Sequence, residues 1–303
     1  MESASVSWLS HDTSEAHFGV FDGTGGEEVA KFVSRHFTAT LFASPSYPDG
    51  QFKRALKETF LFVDHILQTP EGQKDLIRLR HNLPDDYRIE YTDAGSLAGC
   101  TAVVALIKNG QLFVANAGGS RCVLARSGQA VPMSVDHRPY NSEERARIER
   151  AGASVCDGRV ESLNFSRGIG FLHCKHSDLP PQEQPITPYP EVKVEQLSES
   201  DDFLVVACDG IWDMVSNQEC ADFVYQRLEQ GMPLSQIVEE LFDRCLAPDI
   251  ATYGGFGCDD MTCIIVLFKD IGATVASNVS RPSNQSGTSS STASTAAFSN
   301  FPH

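Results

Sequence analysis

The chain has 303 residues, 41% hydrophobic and 21% charged, with a formal net charge of −16; it can bury a large core, and its acidity excludes adhesion to nucleic acid or anionic lipid, whose phosphates reward Lys and Arg. No run reaches the ~18 apolar residues of a membrane span and no basic-then-apolar leader opens the chain, so neither a membrane segment nor a signal peptide is expected. Nine cysteines without a CxxC pair indicate reduced thiols and a cytoplasmic or nuclear protein.

Residues 5–9 read as a strand, and 18–21 as its hairpin partner after a polar turn. The second strand runs into Asp22-Gly23-Thr24-Gly25-Gly26, which places a carboxylate on the lip of a glycine-rich turn. From Glu27 the pattern is helical, with Val29, Phe32, Val33 and Phe37 on one face. After a loop over 44–50, Phe52, Leu56, Phe60, Val63 and Leu67 mark a second amphipathic helix. Residues 69–92 are polar, contain Pro70 and Pro84, and read as a loop or partial helix.

A β-rich block follows. Residues 99–107 form a strand, Asn109-Gly110 a tight hairpin turn, and 111–115 the returning strand. Asn116-Ala117-Gly118-Gly119 turns into a strand over 121–125, and Ser127-Gly128 turns again. Ser142 is suited to cap a helix that ends near Gly152. The five prolines of 178–190 indicate an extended surface segment. A strand over 203–208 ends in Asp209-Gly210, helices cover 217–228 and 234–245, and Asp259-Asp260 precede a last strand over 263–268. Beyond about residue 273 the chain is rich in Ser, Thr, Asn and Ala, as in a disordered tail. The expected organisation is one domain over 1–272 and a tail over 273–303.

Three distant segments thus deliver Asp22, Asp209 and Asp259 at strand ends. Carboxylates gathered this way form the donor set of a hard divalent cation.

These segments together resemble the metal-dependent Ser/Thr protein phosphatases of the PPM, or type 2C, family. Residues 18–26 resemble its strand ending in D-G-H-G-G, and Gly99-Cys100-Thr101-Ala102 its G-[ST]-T-A. Residues 117–121 are similar to its N-G-D-S-R, and Asp136-His137 to its D-H. Residues 207–213, A-C-D-G-I-W-D, lie very close to its A-[TC]-D-G-[LI]-W-D, and Asp259-Asp260-Met261-Thr262 matches D-N-M-[ST]. The motifs run in the family's order over residues 1–270. The resemblance implies an α+β fold: a β-sandwich of two antiparallel sheets flanked by helices on both faces.

It also implies hydrolysis of phosphoserine and phosphothreonine in a phosphoprotein by a water activated between two Mg²⁺ or Mn²⁺ ions. Asp22 would bridge both ions, Asp209 and Asp259 would complete one site, and the Gly23 carbonyl would join the other. Met1-Glu2-Ser3-Ala4 resembles the family's M-E-D-A, which makes Glu2 the candidate ligand of the second ion. Ser166-Arg167 resembles its S-R-x-[LI]-G-D, with Arg167 a candidate phosphate contact and Phe171 in place of the acid.

The departures fall at the chemistry. Thr24 replaces the histidine that protonates the leaving oxygen, Gly119 and Ser3 replace acids, and the chain starts too late for the family's first strand and its phosphate-binding arginine. Two readings follow: a working phosphatase with an atypical site and reduced activity, or a pseudophosphatase that binds a protein partner. Converging carboxylates without a cation repel one another, which favours the enzyme. No heptads indicate a dimer seam, so a monomer is expected. D-x-D-G, G-x-S-x-G and H-E-x-x-H are absent, which excludes the corresponding hydrolases.

Overall fold

The computed structural model describes residues 2–12, 14–85, 88, 97–176, 178–247, 257 and 259–268, and the backbone of 294–297. The chain opens with a hairpin, β1 (Ala4–Leu9) and β2 (Glu15–Thr24), with Ala4 opposite Phe21. Helices α1 (Glu28–Ala43), α2 (Phe52–Ile66) and α3 (Pro70–His81) follow. β3 (Gly99–Lys108) turns into β4 (Gln111–Ala117) through Asn109 and Gly110, with φ of 53° and 71°. That is the I′ geometry whose twist suits a two-residue hairpin. β5 (Arg121–Arg126), β6 (Gln129–Pro132), α4 (Ser142–Arg150) and β7 (Ile169–Gly170) come next. The chain closes with β8 (Glu191–Gln196), β9 (Asp201–Ala207), α5 (Asp209–Trp212), α6 (Asn217–Glu229), α7 (Leu234–Cys245), β10 (Cys263–Leu267) and β11 (Ser294–Ala297).

One sheet has the order β1-β2-β3-β4-β8, with β7 paired to the start of β3, and the other the order β11-β10-β9-β5-β6. All pairings are antiparallel except β10 with β11. Alternation along each strand builds two interfaces at once. Ala16, Phe18 and Val20 of β2 and Val103, Ala105 and Ile107 of β3 meet Leu204, Val206, Ile264 and Val266 between the sheets. The opposite faces of the same strands carry Phe21, Val104 and Leu106 under α1 and α2. Phe203, Val205 and Ala207 of β9 lie likewise under α5, α6 and α7. The predicted helical stripes supply the outer layers: Val29, Phe32, Val33, Phe37, Leu56, Phe60 and Val63 are all buried. The result is the expected α+β sandwich with helices on both faces.

Several details differ from the sequence reading. Residues 70–81 form a full helix: Thr69 accepts a bond from Gly72 N as N-cap, and Pro70 occupies the first turn, where its missing N–H costs nothing. Residues 86–87 and 89–92 of that segment lie outside the described residues. Asn141, not Ser142, is the N-cap of α4, and its side chain makes no cap bond. The edge strands β6 and β8 carry too little apolar alternation to be recognised. Most of 273–303 lies outside the described residues, but 294–297 adds a parallel strand to β10. No helix among the described residues is long and apolar enough to cross a membrane.

Candidate active site

Asp22 follows Ala16, Phe18 and Val20 at the same two-residue spacing, so it faces between the sheets where the apolar series ends. The sequence reading puts it at the lip of a turn. The strand instead continues two residues further, with Asp22, Gly23 and Thr24 paired to Thr101, Cys100 and Gly99. The turn comes after, at Gly25 and Gly26, with φ of 79° and 146°. In the other sheet Cys263 pairs with Ala207, so the end of β9 lies beside the start of β10. Cys208 N donates to Thr262 O at 3.1 Å and locks that junction. Asp209, just past β9, and Asp259, just before β10, thereby join Asp22 around one cleft of about 630 Å³.

The electrostatics of the acids follow from this crowding. Asp22 and Asp209 are each 8% exposed. Burial, reinforced by the neighbouring Asp209 charge, pushes the Asp22 carboxyl up to about 8. Burial and then Asp209 also raise Asp259. The Oδ1 of Asp209 is buried with no hydrogen-bond partner. Like charges push carboxylates apart, and among the described residues no three His, Cys, Asp or Glu side chains close as a finished metal cage. The donor set nevertheless fits a hard divalent cation: it is all oxygen, anionic, and includes a buried lone pair that no described group satisfies.

Glu2 lines the same cleft, and its Oε2 accepts a bond from Gly26 N at 3.1 Å. Gly23 must lack a side chain, because a Cβ there would lie 2.4 Å from Glu2 O. That contact brings Glu2 against the Asp22–Gly23 backbone. Thr24 also lines the cleft, and no histidine does among the described residues. At Gly119 a Cβ would lie 3.4 Å from Asp209 Oδ2 and 3.8 Å from the Arg138 guanidinium, which pairs with Asp136 and Asp213. The neighbouring motif residues hold structure: His137 Nδ1 accepts from Gly118 N at 3.2 Å, and Arg121 forks onto Asp136 at 2.6 and 2.9 Å.

Arg167 does not line the cleft. Its guanidinium bonds Glu144 and the Tyr189 carbonyl. Burial alone would raise Glu144, but bonding to Arg167 and the charges of Arg147 and Arg167 hold it at about 2. Phe171 takes a left-handed backbone (φ 50°) and packs fully buried against Gly99, an apolar role for the position where the family has an acid. The cation that lines the acid cleft is Arg159, which sequence reading missed. Its guanidinium bonds the Ser162 carbonyl at 2.8 Å and has no carboxylate partner among the described residues. The available signal was Asp157-Gly158, a tight-turn pair directly before it.

Comparison with known proteins agrees with this architecture. The family model described as Protein phosphatase 2C matches residues 1–252. A probable protein phosphatase 2C 11 of Oryza sativa subsp. japonica is 40% identical over 297 residues, covering 89% of this chain and 82% of that protein. A probable protein phosphatase 2C 3 of Paramecium tetraurelia is 47% identical over 258 residues, covering 83% and 82%. Among solved structures, a serine-threonine phosphatase 2C from Toxoplasma gondii shares the fold, with a TM-score of 0.64 at 18% identity over 87% of this chain and 93% of the other. With three acids delivered from two sheets in the family's order and a match across most of its length, the chain belongs to the protein phosphatase 2C family.

Proposed function

We propose that the protein is a Mg²⁺- or Mn²⁺-dependent phosphatase of phosphoproteins, with a site better suited to good leaving groups than to serine and threonine alkoxides. The observation that carries this reading is the convergence of Asp22, Asp209 and Asp259 on one cleft, with a buried, unpartnered Oδ1 on Asp209. When bound, the ions supply Lewis acidity, lowering the pKa of water and drawing charge from a phosphoryl oxygen. Asp22, Asp209 and Asp259 would hold them, and the Gly23 carbonyl and Glu2 would serve the second ion. Arg159 offers the phosphate dianion a cation that no described carboxylate pairs. Thr24 cannot donate a proton near neutral pH as imidazole does, so the leaving oxygen departs without help. Phenols therefore leave more readily than alkoxides.

The test is Mn²⁺ titration by calorimetry of the wild type and Asp209→Asn, alongside hydrolysis of an aryl phosphate and a phosphothreonine peptide. The expected result is wild-type binding with metal-dependent turnover, faster on the aryl ester. In the variant, affinity falls by at least about 100-fold, beyond the usual cost of an outer-shell change. Absence of Mn²⁺ binding in the wild type overturns the reading. The second reading, a binding module without catalysis, is favoured by Thr24 in the cleft, and Mn²⁺ binding with no turnover on either substrate selects it.

A further inference from the structure

Asp22 is buried beside the like charge of Asp209, and its carboxylate needs something to hold its orientation. The β1–β2 register runs from Ala4 opposite Phe21, and its continuation sets Ser3 opposite Asp22. Side chains of directly opposed residues share a face. There the Ser3 hydroxyl donates to Asp22 Oδ1 at 2.7 Å. Apart from the neighbouring Asp209 carboxylate, no other described group bonds to the Asp22 side chain. The acid that the family resemblance leads one to expect at residue 3 could only accept, and would add another negative charge beside Asp22.

We infer that Ser3 is a positioning residue for the cation-binding acids. Its hydroxyl occupies one lone pair of Oδ1 and fixes the carboxylate's rotation beside Asp209. A divalent cation then meets a carboxylate that is already oriented. The inference rests on the reading that Asp22, Asp209 and Asp259 hold Mg²⁺ or Mn²⁺.

The experiment is Mn²⁺ calorimetry on the full chain with Ser3→Ala, Ser3→Cys and Ser3→Thr, together with melting curves in chelator. Loss of an outer-shell partner typically costs 10–100-fold in metal affinity. Ser3→Ala and Ser3→Cys are expected to lose about 10-fold or more in Mn²⁺ affinity. Ser3→Thr, which keeps the hydroxyl, is expected to restore it, and the metal-free melting temperatures are expected to stay close to wild type. Should Ser3→Ala not fold, Ser3→Cys decides, because it keeps the size and loses the strong donor. Unchanged or tighter binding in the variants overturns the role of Ser3, and so does equal loss in Ser3→Thr. A wild type that binds no Mn²⁺ overturns the underlying reading and this inference with it, whereas wild-type binding with an unaffected Ser3→Ala overturns this inference alone.

Discussion

In the proposed function, Thr24 is the side chain on which catalysis turns. It lies on the last position of β2 and lines the same cleft as Asp22. Thr24→His is expected to raise turnover of a phosphothreonine peptide by about 100-fold or more, the lower range for a positioned general acid, and to help an aryl phosphate much less. Steady-state kinetics on the two substrates checks this. His17 provides an independent reading of the core. It is fully buried on β2, bonded through Nε2 to Thr38 Oγ1 at 2.8 Å, stacked on Trp8, and has no partner for Nδ1 among the described residues. Burial lowers its pKa from 6.5 to about 4. The unfolded chain takes up that proton first, so stability is full above pH 6.5 and falls as the pH drops toward 4, by roughly 3 kcal/mol when complete. Denaturant midpoints between pH 4 and 7 are expected to show this slope, and His17→Gln to flatten it.

The segment from α4 to β7 is organised by its own small core. Val160 is buried with Ile148, Phe165, Phe171, Cys174 and Ile186. Val160 also follows Arg159 between two tight turns, at Asp157-Gly158 and Glu161-Ser162, all four residues with positive φ. Two such turns in close succession leave Arg159 little freedom in direction, which places it at the cleft rim. The segment is tied down by Glu144, whose buried carboxylate serves Arg147, Arg167 and the Ser166 hydroxyl together. Glu144→Ala leaves two guanidinium groups without their counter-charge. Breaking a buried pair by removing one partner costs about 3–5 kcal/mol. A large fall in melting temperature is expected, whereas Arg145→Ala, whose pair with Glu149 is exposed, leaves it nearly unchanged. α3 and β8 show what local pattern hides. Pro70 is a breaker inside a helix and a good first residue, and the two cases separate only when Thr69 is seen capping. β8 alternates weakly, with Val192 as its one fully buried apolar side chain, and is a strand because β4 offers it an edge.

Taken as a whole, the molecule gathers acids at one end of the sandwich in a chain whose net charge is already −16. A bound cation would relieve self-repulsion of that kind, so the proposed metal binding would stabilise the fold. At Mn²⁺ concentrations 100 times the dissociation constant, mass action adds about 2.7 kcal/mol to stability. For a domain of this size that corresponds to a rise of roughly 5–10 °C in melting temperature. Thermal scans with Mn²⁺ against chelator are expected to show this for the wild type and not for Asp209→Asn.

Much of the layout is legible from residues in order. The apolar runs of β2 and β9, Asn-Gly turn chemistry and the stripes of α1 and α2 are local properties, set by backbone sterics and by the need to bury apolar faces. The motif order also names Asp22, Asp209 and Asp259. Their meeting is not local. It depends on the register of β9 with β10 and on one sheet stacking over the other, which brings residue 22 to residues 209 and 259. The bond from Ser3 to Asp22, the anchoring of Arg167 on Glu144 and the placement of Arg159 at the acids arise the same way. A side chain's type is written in the chain, but its partner is chosen by packing between distant segments, and only tertiary structure sets those distances.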